Sequence, residues 1–253
     1  MTASTSSRPS VSARGALLLA ALTLVLVERY VPHGRVVLYP FVLFATWVHE
    51  MGHGLAALAV GGGFTRLDVY ANASGLAHIT VPRGAASGIT AAAGLLAPPV
   101  LGGLMLAVAR GPRRARGLLF ALAVALGVSL ALWIRGPVGM AVAAGMSLLL
   151  AASSRVSSDR VAMVLAQLLG LLLGLDALRR ADYLFTPSTR IAGEVMPSDV
   201  SAVAAALGGS YLVWGTVLAA VGGGAFVLGL WIAWRAPRGR ERAPVGASRR
   251  DAT

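Results

Sequence analysis

Apolar residues gather along this chain in long blocks separated by short polar stretches. The blocks cover residues 15–31, 36–60, about 87–109, 117–134, 136–152, 160–178 and 211–234. All fall within the ~17–25 residues that a helix needs to cross the hydrocarbon core of a bilayer. The first block resembles the core of a signal peptide, but Glu28-Arg29-Tyr30 follows it in place of a small-residue cleavage site, so it reads as a retained helix. The second block ends at Gly61-Gly62-Gly63, which cannot sustain a helix. Pro98-Pro99 interrupts the third and predicts two half-helices or a kinked one, which makes this the run to expect as re-entrant.

Residues 64–81 follow a different period. Leu67, Val69 and Ala71 alternate with Asp68 and Tyr70, and Asn72-Ala73-Ser74-Gly75 supplies turn residues before a second short run, 76–81. This pattern predicts a β-hairpin directly after the second apolar block. Residues 1–14, rich in Ser and Thr, and residues 235–253, rich in arginine, read as disordered tails around a membrane domain at 15–234. The fold expected is therefore an all-α polytopic membrane protein with six to seven transmembrane helices and one short β-hairpin. Placing Arg110, Arg113, Arg114, Arg116 and the C-terminal tail on the cytoplasmic side gives seven spans and an outside N-terminus. Arg8 and Arg14 oppose that orientation, and a re-entrant run lowers the count to six.

Composition supports this reading. The chain has 253 residues, of which 57% are hydrophobic and 13% charged, too much apolar surface for a soluble fold of this size to bury. The net charge of +12 comes from arginine alone, set at the ends of apolar runs and in the tails. It marks topology and lipid headgroups, not nucleic acid. With no cysteine, disulfides and thiolate metal sites are excluded. Arginine without lysine, with abundant Ala, Gly and Val, suits a high-GC genome and a bacterial inner membrane.

Inside the second block stands His49-Glu50-Met51-Gly52-His53. On a helix, His-Glu-x-x-His sets two imidazoles one turn apart on one face, where both can bind a single metal ion, with the glutamate beside them as general base toward water. Ionisable groups at such depth are costly and usually functional. The competing structural reading makes His49 and His53 interhelical hydrogen-bonding groups and leaves Glu50 unexplained. Gly52, Gly54, Ala56, Ala57 and Ala59 give the same helix a thin face for close packing.

A catalytic zinc has three protein ligands and an open position, so a third His, Asp or Glu must come from elsewhere. Asp176 is the candidate: it is the sole charge between 161 and 178, ~22 Å along that run. Arg179 and Arg180, at i+3 and i+4, offer it an interfacial ion pair instead. Asp182 and Asp199 are the reserves, although Pro197-Ser198-Asp199 also reads as a helix start capped by Ser198 or Asp199. The hairpin offers an edge for an extended peptide, with Asn72 a candidate to orient substrate backbone and His78 to stabilise an oxyanion. A turn asparagine and a surface histidine are the plainer readings of those two.

The segment 47–57, then Gly61-Gly62-Gly63 and the strand-like stretch through Ser74-Gly75, resembles the site-2 protease family of intramembrane zinc metalloproteases, in particular its compact peptidase-like bacterial and plant branch. A weaker likeness covers 160–215, where Leu175-Asp176-Ala177-Leu178 is similar to the family's second metal motif and Pro197-Ser198-Asp199 with Trp214-Gly215 to the branch's C-terminal part. The resemblance implies Zn2+ held by His49, His53 and Asp176, Glu50 as general base, and regulated intramembrane proteolysis of a membrane-protein or peptide substrate in or near the lipid bilayer. Better-studied members follow the aspartate with glycine, often after Asn-Pro. Here Ala177 follows and no proline precedes. Two rivals remain open: a catalytically inactive scaffold or chaperone that binds transmembrane segments, and a transporter or channel.

Overall fold

The computed structural model describes residues 11–31, 34–179, 181–191 and 193–235. The predicted tails therefore fall largely outside the described residues. Helix α1 (Val11–Tyr30) starts slightly ahead of the first apolar block, and α2 (Gly34–Ala59) carries the histidine motif. Strands β1 (Gly63–Val69) and β2 (Gly75–Thr80) form the expected hairpin. Next come α3 (Ala85–Val108), α4 (Pro112–Leu132), the short β3 (Ile134–Arg135), α5 (Pro137–Val156) and α6 (Asp159–Arg179). The chain closes with α7 (Ala181–Leu184), a second hairpin of β4 (Ser188–Ile191) and β5 (Glu194–Pro197), α8 (Asp199–Leu207) and α9 (Tyr211–Trp234).

Among the described residues, α3, α4, α5 and α9 are long and apolar enough to cross a membrane. The apolar blocks predicted six to seven spans; the described residues supply four helices that meet both criteria, and α1, α2 and α6, of similar length, lie outside that set. Large apolar side chains such as Leu148, Leu149, Val227 and Leu228 point outward on α5 and α9, as lipid-facing residues do.

Helix α3 runs unbroken through Pro98 and Pro99 instead of splitting into half-helices. The two prolines cost the helix the i+4 donors for the Gly94 and Leu95 carbonyls, a loss that neighbouring elements in a membrane protein can offset. That neighbourhood is dense, because α3 packs against α2, α6, α8 and α9. Glycines permit the closest crossings. A Cβ on Gly103 would stand 2.8 Å from the Ala225 carbonyl of α9, and one on Gly52 would stand 2.7 Å from the Ala93 carbonyl of α3. The thin face of α2 is thus used, with Gly52 against α3 and Gly54 under the ring of Phe64.

The first hairpin is fastened on both sides. Strand β1 lies between β2, antiparallel, and β3, parallel. Phe64 stacks on Trp133 with ring centroids 4.7 Å apart, and the Trp133 indole donates to the Phe64 carbonyl at 3.1 Å. On the other side Tyr39 and Thr46 of α2 donate to the carbonyls of Ala71 and Ala73 at 2.7 and 2.9 Å. The turn is therefore held over the polar face of α2.

Candidate metal centre

Helical spacing places Thr46, His49, Glu50 and His53 along one side of α2, where each meets a different element. The His49 and His53 rings stand edge to face, their centroids 4.7 Å apart, and their Nε2 atoms are 3.1 Å apart. His53 Nδ1 lies 2.9 Å from the Thr90 carbonyl of α3, and the Thr90 hydroxyl is itself held by the Ala86 carbonyl. A carbonyl can only accept, so the proton of neutral His53 sits on Nδ1 and Nε2 keeps its lone pair.

The third member is Asp199. Its Oδ2 is 3.1 Å from His49 Nε2 and its Oδ1 is 3.4 Å from His53 Nε2. Ligand atoms of His49, His53 and Asp199 all lie within 4.8 Å of one another. The second hairpin delivers this carboxylate: Ser198 follows β5, donates to the Thr186 carbonyl and caps α8 by accepting from the Ser201 amide. Such a cap is worth about 1 kcal/mol. Asp199 then opens the helix, directed inward. Tyr183 on α7 grips it twice, its hydroxyl donating to Oδ2 at 3.0 Å and accepting from the Asp199 amide at 3.2 Å.

Of the other predicted residues, Asp176 is buried on α6 and lines a small cavity with His49. It is not in the three-residue cluster. Asp182 is exposed on α7. Glu50 lies beside the histidines, and its Oε2 accepts from the Ala77 amide of β2 at 2.9 Å. Leu67, the register partner of Ala77, donates its own amide to Trp133, so this pair is not hydrogen-bonded and Ala77 N–H points off the free edge of β2. Gly75 makes room for the contact: a Cβ there would stand 2.6 Å from Glu50 Cγ and 2.7 Å from Thr46 Cγ2.

Asn72 and His78 have local partners. Asn72 accepts from the amide and hydroxyl of Ser74 and so holds its own turn. His78 Nε2 is 2.9 Å from Asp68, which also pairs with Arg66. Asp68 and His78 lie on the opposite face of the hairpin from Leu67 and Ala77.

The donor set fits a metal ion. Two imidazole nitrogens and a carboxylate, all electron-pair donors, converge in a buried place where their mutual repulsion calls for a cation. His, His and Asp suit zinc, and the proton on His53 Nδ1 aims Nε2 at the gap.

A sequence model described as Peptidase M50B-like matches residues 16–229. No curated protein and no solved structure matches the chain. Covering most of the 253 residues and every residue of the cluster, the family match makes this multi-pass membrane chain a member of the peptidase M50B-like family within the site-2 proteases.

Proposed function

We propose that the chain is an intramembrane zinc endopeptidase that hydrolyses a peptide bond of a membrane-embedded protein, in the inner membrane of a bacterium. The observation that carries the reading is the convergence of His49, His53 and Asp199 beside Glu50 on an apolar helical scaffold. His49, His53 and Asp199 would hold the ion, with Asp199 taking the place that the sequence reading gave to Asp176. Zinc bound there supplies a Lewis acid for the scissile carbonyl and lowers the pKa of water towards ~7.

The protein's own groups do the rest. Glu50 takes a proton from the attacking water and passes it to the leaving amine. Ala77 N–H holds one Glu50 oxygen, leaving the other to face the water. The edge of β2 that pairs with no strand among the described residues suits an extended peptide, the conformation that hydrolysis requires, alongside the Ala77 amide that Glu50 occupies. A groove of about 390 Å³, lined by Val36, Tyr39, Val42 and residues 71–73, gives an apolar segment a place between α2 and the hairpin turn.

Metal analysis of the detergent-solubilised protein tests the reading. About one zinc per chain is expected in wild type, with loss of metal in both His53→Ala and Asp199→Ala. A wild type that takes up no zinc when supplied with it would sink the hydrolase reading and leave the scaffold. Tyr183→Phe removes one restraint on Asp199 and is expected to weaken zinc binding by about tenfold, read by competition with a chromophoric chelator. An unchanged affinity would show that the phenol does not restrain the carboxylate.

A further inference from the structure

His49 and His53 are supported differently. The Nδ1 of His53 rests on the Thr90 carbonyl, whereas the Nδ1 of His49 is fully buried and has no hydrogen-bond partner among the described residues. A metal-binding imidazole needs its second nitrogen anchored, because that anchor fixes the tautomer and the ring plane. A buried N–H without a partner also costs ~1–3 kcal/mol.

The cavity that His49 lines explains where that anchor comes from. Asp176, Leu95, Pro98, Leu184 and Gly222 are among its walls, and neither His53 nor Asp199 is. Of the three clustered residues it therefore borders His49 alone. About 20 Å³ is open to the centre of a water molecule, enough for one. Two of its wall residues carry polar groups short of a helical partner or set in apolar surroundings. Asp176 is 3% exposed on an otherwise apolar stretch of α6. The Leu95 carbonyl lacks an i+4 amide because residue 99 is proline.

Building on the metal-site reading, we propose that Asp176 is a positioning residue for His49. A single water in the cavity accepts from His49 Nδ1–H and donates to the Asp176 carboxylate, with the Leu95 carbonyl as its second acceptor. The chain so arranged gives each histidine its own support: a backbone carbonyl from α3 for His53 and a water-linked carboxylate from α6 for His49. The buried aspartate of the α6 run then has a role that does not compete with Asp199 for the ion.

Zinc titration of wild type, Asp176→Asn, Asp176→Ala and Asp199→Ala, with cobalt-substituted absorption spectra of each, tests the assignment. Asp176→Asn should keep one metal per chain and the wild-type cobalt band while weakening affinity by about 10–100-fold, with Asp176→Ala weaker again. Loss of stoichiometry in Asp176→Asn, or the cobalt band moving as it does in Asp199→Ala, would make Asp176 a ligand and overturn the proposal. Unchanged affinity in both Asp176 variants would overturn it too. The isosteric asparagine decides the matter should the alanine variant fail to fold. A wild type that binds no metal removes the site itself, an outcome distinct from either.

Discussion

Glu50→Gln keeps the zinc and loses the chemistry: hydrolysis of a membrane-embedded reporter peptide is expected to fall by about 10²–10⁴-fold, with metal content unchanged. The prediction follows from how Glu50 is held. It lies beside the histidine pair without being one of the three clustered residues, and one of its oxygens is tied to the Ala77 amide. Glutamine has the same shape and still accepts from Ala77 through its amide oxygen, so the hairpin should stay seated on α2. What it lacks is basicity. A wild-type rate in Glu50→Gln with zinc bound would remove Glu50 as the base and return the scaffold reading to the front. The same variant is a trap, since a substrate that binds and is not cut can be captured on it and identified.

The parts of this protein legible in its sequence are those governed by local period. The alternation of 64–81 gave the hairpin, and the four-residue spacing of His49 and His53 gave the paired imidazoles. The third member of the cluster, Asp199, was harder to read because it depends on tertiary placement. Pro197-Ser198-Asp199 reads locally as a helix start, and it is one: Ser198 is the cap. That local role does not prevent the next side chain from facing the histidines, a direction set by β4, β5 and the Tyr183 hydroxyl. The second hairpin escaped notice because its strands are four residues each and its turn signal is little more than Gly193, whose φ is +91°. Pro98-Pro99 suggested a break, yet packing on four neighbouring helices outweighs the lost hydrogen bonds.

Gly94→Ala is expected to abolish zinc binding without touching any polar group of the cluster. Gly94 lies on α3 one turn beyond Thr90, the residue that anchors His53, and the imidazole of His53 lies directly against its Cα. A methyl group there would overlap Nε2, Cε1 and Cδ2 of that ring, the end that faces His49 and Asp199. The His53 ring cannot simply give way. Its other nitrogen is fixed to the Thr90 carbonyl at 2.9 Å, and a small rotation already takes Nε2 out of reach of its partners. Either the ring leaves or α3 moves off α2, and both open the site. Overpacking of a tight interior costs ~1–3 kcal/mol, which the fold can survive, so the loss should fall on the metal more than on stability. Gly145→Ala on α5, where a Cβ meets nothing within 4 Å, is the matched control and should bind zinc as wild type does. Thermal unfolding recorded with the metal analysis separates the outcomes. A folded Gly94→Ala protein with full zinc would show that His53 is not a ligand, because no ring displaced by that methyl can hold the ion with His49 and Asp199.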